Sequence, residues 1–499
     1  MAQITAIADP IVSRPVAKSA LSLRTLALSI CAGALLLAWL PRLRWGLWTD
    51  EAGTYWMACA GWWEAISRSG TFPGQSVLYG VLESFFAVRG AWEEPLLRIP
   101  SVLAMFVAAW HLKKLAELLI GPEAGWLAVA PFFCSPEIFN FGTMARPYAL
   151  ATAAAIASFR YLAQWRSTPD TGTVLRYLVA SVLTLYFHYL FGFIFVIQAA
   201  HLGFCLLRGH RFGWRLPVAA LAVLPLSLVP LIAQLLYTAK LSGPYPDVDK
   251  PTFEQLLQLS FPPNLLLGAA LGAALVFLLH GKLKWRKDAP SAETAFLVVS
   301  WMLLAPVLFF AIARFTPYQS LFVSRYLLFC LPAFLLALAW LISGFTAVEA
   351  RNVVLLAIFG GAVLHPGGLL VAFRPASNSW REPLQLVAAE RDPGPVFVTS
   401  GLIDTKWLDW RTQDPATSPL FSQMTAYPVP NKTIPLPFQF SKAVEDVLLK
   451  TDFSVYKSLF LVAAVDAPVA SWLSEHLAKS GFRAEVRPVN DYVVIHYRR

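Results

Sequence analysis

Charge is what this sequence has least of. Only 14% of its 499 residues are Asp, Glu, Lys or Arg, where soluble domains carry about 25%, so most of the chain is not solvated by water. Cysteine is scarce as well. Five thiols (Cys31, Cys59, Cys134, Cys205 and Cys330) are scattered with no CxxC and no zinc-type spacing, which argues against a disulfide framework and a cysteine metal site. Four of them fall in apolar runs, where Cys packs as a small hydrophobe. No internal repeat is found. Acids are outnumbered by bases, 30 to 40, for a net charge of +10. Bases gathered in short loops between apolar runs follow the positive-inside rule and suit anionic lipid headgroups. They call for no nucleic acid.

Apolar residues are what the chain has in excess. They make up 57% of it, mean hydropathy is +0.57, and several runs reach about 17–25 residues, enough to cross a bilayer as a helix. Eleven spans are predicted, near 23–40, 97–115, 123–141, 148–164, 173–188, 190–207, 216–237, 264–281, 294–313, 323–343 and 352–373. The first is long for the apolar part of a signal peptide, and PRLRWGLW follows it instead of a small-residue cleavage site, so it is read as retained. Residues 1–24 carry Arg14, Lys18 and Arg24 against one acid, Asp9, and are expected in the cytoplasm.

Ser76–Val88 is apolar but short, and it carries Glu83. If it does not span, the basic residues at 113–114, 160–176, 208–215, 282–287 and 351 all fall on the cytoplasmic side. If it spans, every one is external, against the charge rule. Residues 55–92 are therefore expected as amphipathic helices lying on the outer surface, inside an external loop 42–96. The membrane domain then covers 25–373, no broken span is expected, and the odd count puts the C-terminus outside. Residues 374–499 change character. PVFVTS, SLFLVAAV and DYVVIHY read as strands, SWLSEHLAKSGF as a helix closed by Gly481, and the Pro-rich stretch 415–437 as loop. About 125 residues suffice for a small α/β domain.

The stretch Leu47–Tyr55, LWTDEAGTY, sets two adjacent carboxylates, Asp50 and Glu51, just past the first span. One reading is a helix start, with Thr49 or Asp50 as cap and Glu51 favourable in the first turn. The other is a catalytic carboxylate facing water. Under the topology above, Asp50, Glu51, Arg98, Arg146, Tyr148, His188, Tyr189, Arg325 and Tyr326 all lie at or near external span ends. Taken singly, each Arg can be a snorkelling side chain and His188 a satisfied interfacial histidine. Taken together on one face, ionisable groups at membrane depth point to function.

LWTDEAGTY, RIPS at Arg98–Ser101, ARPYAL at Ala145–Leu150, FHYLFG at Phe187–Gly192 and SRYLLFCLPAF at Ser324–Phe334 occur in this order. Together they resemble the GT-C superfamily of membrane glycosyltransferases. The nearest group is the dolichyl-phosphate-mannose protein mannosyltransferase-like family (glycosyltransferase family 39-like), which includes bacterial enzymes that glycosylate lipid A or core lipopolysaccharide. The resemblance covers roughly residues 25–345. It implies a GT-C fold: a polytopic α-helical membrane protein of about eleven transmembrane helices with a small C-terminal α/β external domain. It also implies a polyprenyl-phosphate sugar as donor, and a hydroxyl acceptor on lipopolysaccharide, protein or glycolipid. By position Asp50 matches the family's catalytic base, with Glu51 as its companion.

Arg146, Arg325 and Arg98 are the natural partners of the donor phosphate, because a guanidinium binds phosphate through two parallel bonds. Tyr148, His188, Tyr189, Tyr326 and Gln75 are the expected substrate contacts. A single displacement would invert the anomeric centre, whereas a second carboxylate at nucleophile spacing would imply retention. Many relatives carry His or Glu beside paired prolines in the first external loop. Here TFPGQSVLY at Thr71–Tyr79 puts Gln75 at that polar position, so no metal ligand is marked there, no cofactor is implied, and a divalent metal stays open. The expected location is a bacterial inner membrane. Two other classes compete: a transporter or lipid flippase, which would show inverted repeats and broken spans, and a non-catalytic assembly subunit, for which Asp50 would be dispensable.

Overall fold

The computed structural model describes residues 22–71, 76–90, 92–210, 223–232, 234, 236, 249–280, 290–374, 376–400, 414, 418–437 and 440–499. Local sequence explains where many helices begin. Ser22 Oγ accepts the Thr25 amide at the head of α1 (Leu23–Arg42). Asp170 Oδ1 does the same for Thr173 ahead of Thr171–Phe187, and Ser291 Oγ for Thr294 ahead of Ala292–Phe315. Each cap satisfies an amide that has no partner inside its helix.

Six helices among the described residues are long and apolar enough to cross a membrane: α1, Glu93–Leu119, Tyr189–Leu207, Ala292–Phe315, Ser324–Ser343 and Val348–Phe373. A pair, Phe253–Ser260 and Pro263–Leu279, bends by 60° and counts as a seventh if it is one span. The chain is a multi-pass membrane protein, and the described residues show six or seven full-length spans where eleven are predicted. The predicted span 123–141 breaks at Ser135–Pro136 into Ala124–Cys134 and Pro136–Gly142, because proline lacks the amide that would continue the first helix. Thr171–Phe187 is apolar but shorter, and the predicted span 216–237 lies partly outside the described residues, which are helical over Val223–Ile232. Pro262 and Pro263 stand at the 60° bend, at the edge of the predicted span 264–281.

The bundle packs tightly where side chains are small. A Cβ on Gly272 would come 2.7 Å from Val354 Cα, and one on Gly268 would come 2.8 Å from Ile358 Cα. This Gly-xxx-Gly face lets two helix backbones approach as small residues do in membrane bundles. Phe159 stacks on Trp301 at 3.7 Å between ring centres.

Between the first two long helices lie three short ones, α2 (Thr49–Ala58), α3 (Trp62–Thr71) and α4 (Val77–Glu83). None is long enough to cross a membrane, and Ser76–Val88 contributes only the seven-residue α4. The N-cap of α2 is Trp48, which makes no side-chain cap bond. Neither Thr49 nor Asp50 caps that helix; both lie in its first turn.

A separate core gathers residues from Trp380 to Tyr497. Its five strands are β1 (Val396–Ser400), β2 (Thr433–Pro437), β3 (Ser458–Ala464), β4 (Arg483–Val489) and β5 (Tyr492–Arg498), in the order β2-β1-β3-β5-β4. β1 runs parallel to β2 and β3, while β5 pairs antiparallel with β3 and β4. β3 and β5 are the buried centre. The helix Pro468–Lys479 ends before Gly481, whose φ of +84° suits a residue without a Cβ. The stretch 415–437, expected as loop, holds a short helix, Ser422–Ala426, and β2. β2 tolerates Pro435 and Pro437 because it is an edge strand, where a missing amide costs least.

Candidate active site

The two neighbouring acids of LWTDEAGTY have opposite surroundings. Successive helical residues point roughly 100° apart, and in α2 that turns Glu51 inward and leaves Asp50 half-exposed. Glu51 is buried. Its Oε1 accepts Arg98 Nε at 2.8 Å and the Ala145 amide at 2.8 Å, and its Oε2 accepts Arg98 Nη2 at 2.6 Å. The Asp50 carboxylate makes no hydrogen bond or ion pair to any described side chain or amide. Only its backbone carbonyl is engaged, by Thr54 Oγ1 at 3.3 Å and Arg146 Nη1 at 3.4 Å.

Arg98 is equally committed. Beyond Glu51, its Nη1 donates to the carbonyls of Arg42, Leu43 and Trp45 at 3.1, 3.1 and 2.5 Å, and its Nη2 to Gly46 at 3.4 Å. A guanidinium saturated in this way, and only 3% exposed, has no free edge for a phosphate. Its work is to tie the 42–46 turn to Glu51.

The other named residues converge near Asp50. Arg146 is buried, lies 5.7 Å over the Tyr148 ring and donates to Thr54 Oγ1 at 3.5 Å. Arg325 lies 5.2 Å over Tyr326, and its buried Nε has no partner among the described residues. The Asp50 charge reaches Arg146, Arg325 and Tyr148. Four aromatic rings form one wall. His188 sits 5.3 Å from Tyr148, 5.4 Å from Tyr326 and 5.7 Å from Tyr189, and Tyr148 is 6.4 Å from Tyr326. His188 Nδ1 is buried without a partner among the described residues. Gln75 lies outside the described residues.

Glu83 was not singled out as a site residue, although its acid stands alone in an apolar run. It is fully buried at the end of α4, and neither carboxyl oxygen has a hydrogen-bond partner among the described residues. Burial pushes its pKa well above the ordinary 4.5; the neighbouring Tyr79 hydroxyl pulls the other way, and the Glu51 charge adds to the rise. A carboxyl buried without a hydrogen-bond partner favours its neutral form. Among the described residues, no three His, Cys, Asp or Glu side chains group to hold a metal ion. Beside the 42–46 turn runs a groove of about 760 Å³ lined by Leu36, Leu40, Trp92, Phe373, Arg44 and Arg374, among others.

A membrane helix bundle followed by a small C-terminal sheet domain is a fold shared with solved membrane proteins. The particular likeness is to ArnT from Cupriavidus metallidurans bound to undecaprenyl phosphate. It matches with a TM-score of 0.55 at 12% identity, over 94% of this chain and 97% of that one. The apo form of that ArnT aligns at 0.49 and 11% identity, over 95% and 98%. The mycobacterial arabinofuranosyltransferase AftD aligns at 0.49 and 17% identity, over 96% of this chain and 42% of that one. No family model and no curated protein matches the sequence.

Proposed function

We propose that this protein is an inverting glycosyltransferase that moves a sugar from a polyprenyl-phosphate donor to a hydroxyl acceptor at the outer face of a bacterial inner membrane. The observation that carries the reading is Asp50: a half-exposed carboxylate without a hydrogen-bond partner among the described residues, within electrostatic reach of Arg146 and Arg325. The bound lipid in the ArnT structure is a polyprenyl phosphate, which suits the donor named here.

In this reading the acceptor hydroxyl attacks C1 of the sugar. As the new O–C1 bond forms, the C1–O bond to phosphate breaks, and the hydroxyl proton passes to Asp50. The electron pair leaves on the lipid phosphate, where Arg146 and Arg325 meet the growing charge with charge-assisted bonds. Asp50 then releases its proton to water. The aromatic wall of Tyr148, His188, Tyr189 and Tyr326 bounds the sugar. Arg98 belongs to the support of Glu51 and not to the phosphate. The groove at Leu36–Arg374 offers an apolar wall and two cations, which suits a lipid with an anionic head.

Incubating the purified protein with a panel of polyprenyl-phosphate sugars, with mass spectrometry of the products, tests this directly. Asp50→Asn should abolish transfer while the protein stays folded; wild-type turnover in that variant refutes the assignment of the base.

A further inference from the structure

The described contacts between the C-terminal domain and LWTDEAGTY concentrate on the residues that flank Asp50. The Trp380 amide donates to the Leu47 carbonyl at 3.1 Å, and Trp380 Nε1 donates to Thr49 Oγ1 at 3.0 Å. The Leu47 amide donates to Tyr427 Oη at 2.6 Å, and the same hydroxyl donates to Glu94 Oε1 at 3.1 Å. Arg381 bridges the Glu94 carboxylate at 3.1 Å and the Arg44 carbonyl at 3.0 Å. Trp380 is 2% exposed and is backed by Tyr492 of β5, 4.2 Å between ring centres. Ala426, one residue before Tyr427, shares a buried cluster with Leu47, Ala52 and Tyr55.

These grips complement those of Glu51. Because α2 has no side-chain N-cap of its own, its first turn is located from outside. Trp380 holds Thr49, the residue before Asp50. Arg98 and the Ala145 amide hold Glu51, the residue after it. Between two fixed neighbours, the Asp50 backbone has little freedom while its carboxylate stays open.

We propose that the C-terminal domain is part of the catalytic apparatus, with Trp380 and Tyr427 as positioning residues that set Asp50 against the acceptor hydroxyl. The inference rests on the glycosyl-transfer reading above. Proton transfer needs heavy atoms within hydrogen-bond reach, and a misplacement of about 1 Å is enough to cost roughly 100-fold in rate. Among the described residues, Trp380 and Tyr427 make no bond to Arg146 or Arg325, the arginines assigned to the donor phosphate.

The test uses the full-length protein. Trp380→Phe keeps a ring against Tyr492 and removes the indole donor. Tyr427→Phe removes the hydroxyl, and Thr49→Val removes the bond to Trp380 from the other side. Trp472→Phe, which loses a bond to Glu445 inside the same domain, controls for general effects. Each clamp variant is expected to lower kcat by about 10- to 100-fold, with donor KM within about twofold of wild type. Thr49→Val and Trp380→Phe together should cost no more than the worse of the two, since both remove one bond. Wild-type kcat in folded Trp380→Phe and Tyr427→Phe overturns the proposal, as does a rise in donor KM at unchanged kcat or an equal loss in Trp472→Phe. If one variant fails to fold, Thr49→Val decides alone by the same kcat criterion. An active Asp50→Asn would instead refute the glycosyl-transfer base, so the two failures are distinguishable.

Discussion

Replacing Glu51 with Gln separates the two acids of LWTDEAGTY. The substitution keeps the shape and an oxygen for the Ala145 amide, but it removes the charge opposite Arg98 and can set an NH₂ group against the guanidinium. Arg98 is then a buried cation without its counter-charge, keeping its backbone carbonyls and the amide oxygen at Nε but losing the Nη2 contact to Oε2. Breaking a buried pair in this way costs about 3–5 kcal/mol, and each 1.4 kcal/mol is about a factor of ten. Local opening around the pair should therefore become roughly two to three and a half orders of magnitude more frequent. Hydrogen exchange followed by mass spectrometry, in detergent or nanodiscs, reads this on peptides covering 42–55 and 143–150. Protection should fall there and persist in β3 and β5, which lie in a separate core. Turnover should drop through displacement of Asp50 but not vanish. Asp50→Asn should do the reverse, abolishing turnover with protection unchanged. Wild-type protection in Glu51→Gln would refute the anchoring role drawn from the 2.6 and 2.8 Å contacts.

The remaining expectations concern phosphate, a buried proton and orientation. Arg325→Ala or Arg146→Ala should weaken binding of an undecaprenyl-phosphate probe about 10- to 150-fold, from about 1.5–3 kcal/mol per charge-assisted bond; unchanged binding in both removes the phosphate clamp. Glu83→Gln should abolish a pH dependence of stability. The folded Glu83 pKa is raised above its unfolded 4.5, so its contribution is full below pH 4.5 and is lost as pH rises toward the folded value. Wild type and variant should match near pH 4, with the variant more resistant to denaturant at pH 8; the opposite order would contradict a neutral buried acid. A reporter fused after Arg499 should be active outside the cytoplasm, and cytoplasmic activity would reverse the proposed orientation.

Much of this arrangement was legible because it is local in sequence. Long apolar runs mark the long helices, and short β-branched and aromatic runs mark β1, β3 and β5, since each is set by its own residues. What escaped depends on distant partners. β2 was hidden by its prolines, which only an edge position beside β1 excuses. The break at Ser135–Pro136 sits inside a run whose hydropathy continues across it. Arg98 carries the same motif, RIPS, whether it binds a phosphate or saturates itself on Glu51, and only the turn at 42–46 decides. Glu83 showed as an acid in an apolar stretch, but its complete burial is set by how α4 packs.

The adjacency of Asp50 and Glu51 has a physical logic that neither residue shows alone. On a helix, neighbours diverge by roughly 100°, so a tandem pair cannot present both carboxylates to the same partner. One face of α2 meets Arg98 and Ala145 and takes a buried, fully bonded acid. The next residue is then carried by a backbone already fixed, and its carboxylate needs no bond of its own to stay in place. A reactive base gains from that division, because every hydrogen bond used to hold it would also stabilise its charged form and weaken it as a proton acceptor. Placing the anchor on Glu51, and a second hold on Thr49 from a domain more than 300 residues away in sequence, leaves Asp50 both located and free.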